Sequence, residues 1–148
     1  MKTHRENIRE IITLVNTIEG LYDLGAKWRG VKANTLYLLY AIADEKIHTQ
    51  KSLQKDWLFP RTTLNTIIKE CQANGYISLK PITGAKRELQ ISLTPAGLDF
   101  ANQILEPIHV AEEKAIEMTL NECSDQLIKD LQIFTTNLKS SFDHAEIH

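Results

Sequence analysis

Cysteine is scarce in this chain of 148 residues: Cys71 and Cys123 are the only two, and they form no CxxC pair. That excludes a disulfide framework and a four-thiolate zinc site, and the expectation is two reduced thiols in a cytoplasmic protein. Long apolar runs are missing as well. The longest, Leu36 to Ala43, falls far short of the roughly 20 residues a membrane span needs. The first residues (Lys2, His4, Arg5, Glu6, Arg9, Glu10) are too charged for the apolar segment of a signal peptide. No glycine-rich phosphate loop, nucleophile elbow or Cys–His pairing is present, so no enzyme is expected. His4, His48, His109, His144 and His148 are scattered, without ligand spacing. His109 with Glu112 and Glu113 comes nearest to a metal set, and ordinary surface charge explains that group equally well. Neither a metal nor a cofactor is expected.

Acidic residues are sparse in one region only. Thr49 to Thr94 holds seven basic residues against three acidic ones, a net +4, while the rest of the chain holds ten against sixteen, a net −6. A basic module in an acidic body can hold a polyanion locally while the remainder is repelled from it. Within that module, Thr49-Gln50-Lys51-Ser52-Leu53 reads as a helix start with Thr49 as N-cap. Asp56-Trp57-Leu58-Phe59 makes a short connection. Pro60 then opens a second helix, Arg61 to Cys71, which stops near Asn74-Gly75. Two β-rich runs follow, Tyr76 to Ile82 and Arg87 to Leu93, split by Thr83-Gly84-Ala85-Lys86. Helix, turn, helix, hairpin is the order of a winged helix-turn-helix, whose second helix enters the major groove.

The faces of that second helix differ. Leu64, Ile67, Ile68 and Cys71 form the apolar stripe. Arg61, Thr62, Asn65, Thr66 and Lys69 occupy the other side, with no acidic residue before Glu70. An ordinary surface helix mixes carboxylates with lysines, and this one does not. Arg61 and Asn65 are the candidates for base readout, arginine suiting guanine and asparagine suiting adenine. Thr62, Thr66, Lys69 and Ser52 are candidate phosphate contacts. Lys86 and Arg87 at the wing tip are candidates for the backbone or an adjacent minor groove; the alternative there is a solvated turn.

Before this module, a helix from about Glu6 to Gly25 carries Ile8, Ile11, Ile12, Val15, Ile18, Leu21 or Tyr22, and Leu24 at helical spacing. Such a stripe buries itself within the subunit or across a dimer. Gly25 and Gly30 are expected to bracket a break. A core helix follows from Ala33 to Asp44, with Asn34 favoured over Lys32 as N-cap. Downstream, Thr94 and Pro95 start a long helix reaching about Leu120, with a kink expected at Pro107. Asn121 or Ser124 should cap a last helix striped with Leu127, Ile128, Leu131, Phe134 and Leu138.

The run Thr62-Thr63-Leu64-Asn65-Thr66-Ile67-Ile68-Lys69, then Asn74-Gly75-Tyr76-Ile77, and the closing Arg87 … Leu93-Thr94-Pro95-Ala96-Gly97 together resemble the multiple-antibiotic-resistance regulator (MarR) family. The resemblance covers nearly the whole length. It implies one mainly α domain (1–148) with a small β-hairpin wing, comprising a DNA-binding winged helix (33–97) and a helical dimerisation region (1–32 and 98–148). It also implies a homodimeric transcriptional regulator, a repressor on a pseudo-palindromic site in double-stranded DNA, released by a small aromatic effector. Trp28, Tyr37, Tyr40 and His109 are the groups it suggests for lining the effector crevice. Two departures stand out. Ala85 occupies the place where the family's wing usually carries an acidic residue. Bulky Trp57, Leu58 and Phe59 stand where a small residue is common, and Trp57 and Phe59 are expected to pack rather than bind. Cys71 lies on a buried face, which speaks against thiol sensing. The other readings are a winged helix used only for protein contact, which a neutral or acidic outer face would favour, and a metal-responsive regulator without a phenolic effector.

Overall fold

A computed structural model describes residues 1–84 and 87–145. By contacts the chain divides into two compact units, Met1–Ile108 and His109–His148.

In the first unit, α1 (His4–Trp28) begins two residues earlier than the apolar stripe suggests. Its start is a capping box: Thr3 Oγ1 accepts from the Glu6 backbone N–H, and the Glu6 carboxylate accepts from the Thr3 N–H at 2.7 Å. These two bonds satisfy donors that would otherwise be orphaned at a helix start. Gly25 does not break α1, which runs through it; the break is Gly30, at φ +71°. Only Ala26 of α1 is buried, so the predicted stripe is present but uncovered.

The helix α2 (Ala33–Ile42) is the wall between two cores. Leu38, Ala41 and Ile42 face a cluster with Leu53, Leu64, Ile67, Ile68, Cys71, Ile77 and Ile91. Leu36 and Leu39 face another with Ala26, Ala101, Ile104 and Leu105. Serving both explains why α2 is apolar around most of its circumference. Its N-cap is Lys32, without a side-chain cap bond, and not Asn34; Asn34 is exposed inside the first turn.

A two-residue strand, β1 (His48–Thr49), precedes α3 (Gln50–Asp56). The strand β1 pairs antiparallel with β3 (Leu89–Leu93), which pairs with β2 (Ile77–Pro81), giving the order β1-β3-β2. The strand β1 lies outside the periodic reading, since two residues carry no alternation. Thr49 caps α3 as expected, and Ser52 completes the box.

Pro60 is the N-cap of α4 (Arg61–Ala73) rather than its first helical residue. The helix ends at Asn74 and Gly75, the latter at φ +75°. Leu64, Ile67, Ile68 and Cys71 are all buried, as the spacing predicts. Phe59 packs against that core, and Trp57 packs edge-on to Tyr40 at 6.0 Å while remaining partly exposed.

Leu58, between them, sits at φ +51° and is 77% exposed. A left-handed L-residue costs about 1–2 kcal/mol, and glycine there costs more entropy in the unfolded chain. Leu58→Gly is therefore expected to stabilise by about 0.5–1 kcal/mol net, read as a thermal midpoint raised by a few degrees. An unchanged or lowered midpoint would mean the leucine makes compensating contacts.

The helix α5 (Pro95–Glu122) is assigned without interruption across Pro107. The second unit contains α6 (Gln126–His144), none of whose residues is buried. Its N-cap is Asp125, one residue after the expected Ser124, although Ser124 Oγ still accepts from the Gln126 N–H at 3.3 Å.

Candidate nucleic-acid interface

At about 100° per residue, Arg61, Asn65 and Lys69 form one row along the outer face of α4, with Thr62 and Thr66 beside it. Arg61, Thr62, Thr66 and Lys69 are exposed, and Asn65 is half-buried. Neither Arg61 nor Lys69 makes an ion pair or hydrogen bond among the described residues. The one carboxylate of α4, Glu70, is paired at its edge by Lys32 at 3.0 Å. So exposed a pair adds little stability, but it places a cation beside the single negative charge on this helix.

The hydroxyl candidates are not equally free. Thr66 Oγ1 donates to Thr62 O at 3.0 Å, within its own helix. Ser52 Oγ accepts from the Thr49 N–H at 2.9 Å and donates to Thr49 O at 3.0 Å. Its hydroxyl proton is thus engaged in the α3 cap. Thr62 lines a cleft of about 320 Å³ with Lys32, Asn34, Thr35, Thr63, Thr66, Ile67 and Glu70. A cavity of about 240 Å³ on the α3 side brings Gln50 and Lys51 together with Arg87 and Glu88. Arg87 is exposed at φ +66°. Lys86 and Ala85, the remaining wing expectations, lie outside the described residues.

Two residues of this face were missed from the sequence. Lys32 reaches Glu70 across 38 positions, and Gln50 Nε2 donates to Asn65 Oδ1 across 15. Neither contact leaves a local signal.

Of the effector candidates, Trp28, Tyr37 and Tyr40 lie in the first unit. Tyr37 donates to Asp23 Oδ1 at 2.7 Å, tying α2 to α1; its burial and that carboxylate both push the phenol's pKa up, so it stays a donor. Tyr40 packs edge-on to Tyr22 at 6.1 Å. Trp28 is exposed at the end of α1. His109 belongs to the second unit, with Nδ1 at 2.9 Å from Glu112 Oε2. Among the described residues no three His, Cys, Asp or Glu side chains gather as a metal set, and no helix is long and apolar enough to cross a membrane. His148 lies outside the described residues. Burial pushes the Cys71 thiol up from its ordinary value.

Solved structures with this architecture are numerous. A MarR family regulator from Neisseria meningitidis, NMB1585, superposes with a TM-score of 0.80 over 94% of this chain and 98% of its own, at 21% identity. The chain has the MarR-family fold. NadR, solved in complex with 4-hydroxyphenylacetate, gives 0.74 over 91% of this chain and 95% of its own, at 16% identity. A MarR family protein from Listeria monocytogenes, complexed with a 26-mer DNA, gives 0.68 over 96% and 90%, at 19% identity. No family sequence model matches the chain, and no curated protein sequence does. The likeness to MarR regulators is therefore carried by the fold, along nearly the whole of both chains.

Proposed function

We propose that this protein is a MarR-type DNA-binding transcriptional regulator and not an enzyme. In this reading it acts in the cytoplasm as a homodimer on a pseudo-palindromic operator, represses by occluding the promoter, and is released by a small aromatic effector. The observation that carries the proposal is the outer face of α4: largely exposed, free of acid, and holding Arg61 and Lys69 without an ion pair or hydrogen bond among the described residues, within a module of net +4. That is the composition a groove-bound helix needs. The Listeria monocytogenes relative in complex with DNA supports this use of the fold, and NadR with its phenolic acid supports the effector class. The uncovered apolar stripes of α1 and α6 support a dimer. Release follows from linkage: an operator demands one spacing of the two recognition helices, and a ligand that prefers another weakens binding by its differential affinity.

The test is binding to the DNA upstream of its own gene across a salt series. Tight, saturable binding that falls steeply with salt and fails on scrambled DNA is expected. Equal weak binding to both would overturn the regulator reading. Within this assay, Arg61→Ala should lose roughly 1–3 kcal/mol on the operator and relax preference at one base pair. Lys69→Ala should weaken all sequences about equally and reduce the salt slope by about 1. A selective loss at one operator position would contradict its assignment to phosphate.

A further inference from the structure

The most informative contact on the α4 face joins two amides. Gln50, the first residue of α3, donates its Nε2–H to Asn65 Oδ1. Both side chains are half-buried. Among the described residues, Gln50 is the only partner of the Asn65 amide.

An asparagine amide presents an acceptor on one side and two donors on the other, and its terminal torsion turns through two nearly equivalent orientations. In isolation it is free to turn to the one that reads adenine, accepting from N6–H and donating to N7. Here the acceptor is held toward α3, which leaves the Nδ2 donors for the groove. A base edge showing only acceptors then suits Asn65 best, and in the major groove a purine with that edge is guanine, through N7 and O6. We infer that Gln50 is a positioning residue that fixes the Asn65 amide with its donors outward, so that Asn65 selects guanine over adenine in each half-site. This rests on the DNA-binding reading above and replaces the adenine preference that asparagine alone suggests.

The pair provides its own switch. A glutamate at position 50 has no proton to give and can only accept, so it would hold Asn65 by Nδ2 and turn Oδ1 outward. A carboxylate in the first turn of α3 also suits the positive end of the helix dipole, so the variant should fold.

The experiment is selection from a duplex library randomised across the half-site, using the full-length wild type, Gln50→Glu, Gln50→Ala and Asn65→Ala. The wild type should favour guanine over adenine at one position by about three- to tenfold, the worth of one or two net hydrogen bonds. Asn65→Ala should abolish that preference, Gln50→Ala should relax it, and Gln50→Glu should reverse it toward adenine. The added negative charge weakens every sequence alike and cancels in the ratio. Retention of the guanine preference in Gln50→Glu and Gln50→Ala, or adenine selection by the wild type, would overturn the inference while leaving the regulator reading intact. A wild type that enriches no sequence would remove the regulator reading, and this inference with it.

Discussion

Gly97→Ala is expected to lose more than about 4 kcal/mol of stability, enough to empty the folded state of a protein of ordinary stability. A Cβ at position 97 would stand 1.7 Å from Tyr76 O and 2.6 Å from Tyr76 C. Both atoms are backbone, so no side chain can swing away. Relief would require the start of α5 to move off the β2 entrance, and four contacts hold that corner together. The Thr94 N–H donates to Tyr76 O at 3.0 Å. Thr94 Oγ1 donates to Gly75 O at 2.5 Å and accepts from the Gly97 N–H at 2.9 Å. The Tyr76 and Phe100 rings stack with centroids 4.2 Å apart. Overpacking against backbone leaves only strain or rupture of these contacts. Urea unfolding followed by circular dichroism gives the measure, with a midpoint near zero denaturant expected for the variant. Gly20→Ala is the control: nothing lies within 4 Å of its Cβ, and alanine in a helix interior gains up to about 1 kcal/mol. Equal effects at the two positions would show that the close approach at Gly97 is relieved by relaxation.

That contact also illustrates what the sequence could reveal. Leu93-Thr94-Pro95-Ala96-Gly97 was legible as the exit of a wing, with Thr94 capping and Pro95 in the first turn, because those are local preferences of the backbone. The reason for glycine at position 97 was not, since it is set by Tyr76, distant in sequence and adjacent in space. The same division runs through the interface. The buried and outer faces of α4 followed from a period of 3.6, which any helix must obey. Gln50, Lys32 and the strand β1 came only from tertiary neighbours. The early start of α1 and the N-cap of α2 have a different cause. Thr3 with Glu6 is a capping box readable in sequence that the apolar stripe outweighed, and Lys32 stands at the N-cap of α2 without a side-chain cap bond, against the cap propensity of Asn34. Ser52 was legible as a polar residue at the start of α3, and its spacing of three from Thr49 also fits the capping box in which its hydroxyl donates to Thr49 O.

Removing residues 125–148 should convert the proposed dimer to a monomer and cost about 10²–10⁴-fold in operator affinity, the usual worth of linking two sites. The helix α6 has 19 residues and buries none of them, while Leu127, Ile128, Leu131 and Phe142 on one side stand 40–50% exposed. A helix of that length is marginal in water without a packed face, and a contiguous apolar surface of this kind marks an interaction site. A second copy of the chain supplies an equally uncovered stripe on α1, where Ile8, Ile12, Val15, Ile18, Leu21 and Leu24 are 38–61% exposed. A stable dimer buries roughly 800 Å² per partner, and two such helices per subunit offer surface on that scale. The winged module has its own core, in which Leu38, Leu53 and Leu64 are fully buried, so truncation should leave its helical signal and cooperative melting in place. Light scattering then separates the outcomes. A folded monomer that still binds a half-site weakly places dimerisation in α6, and its α1 stripe should render it prone to aggregate. A folded dimer with undiminished operator affinity would assign the interface to α1 and α5 and leave the exposed stripe of α6 for another partner.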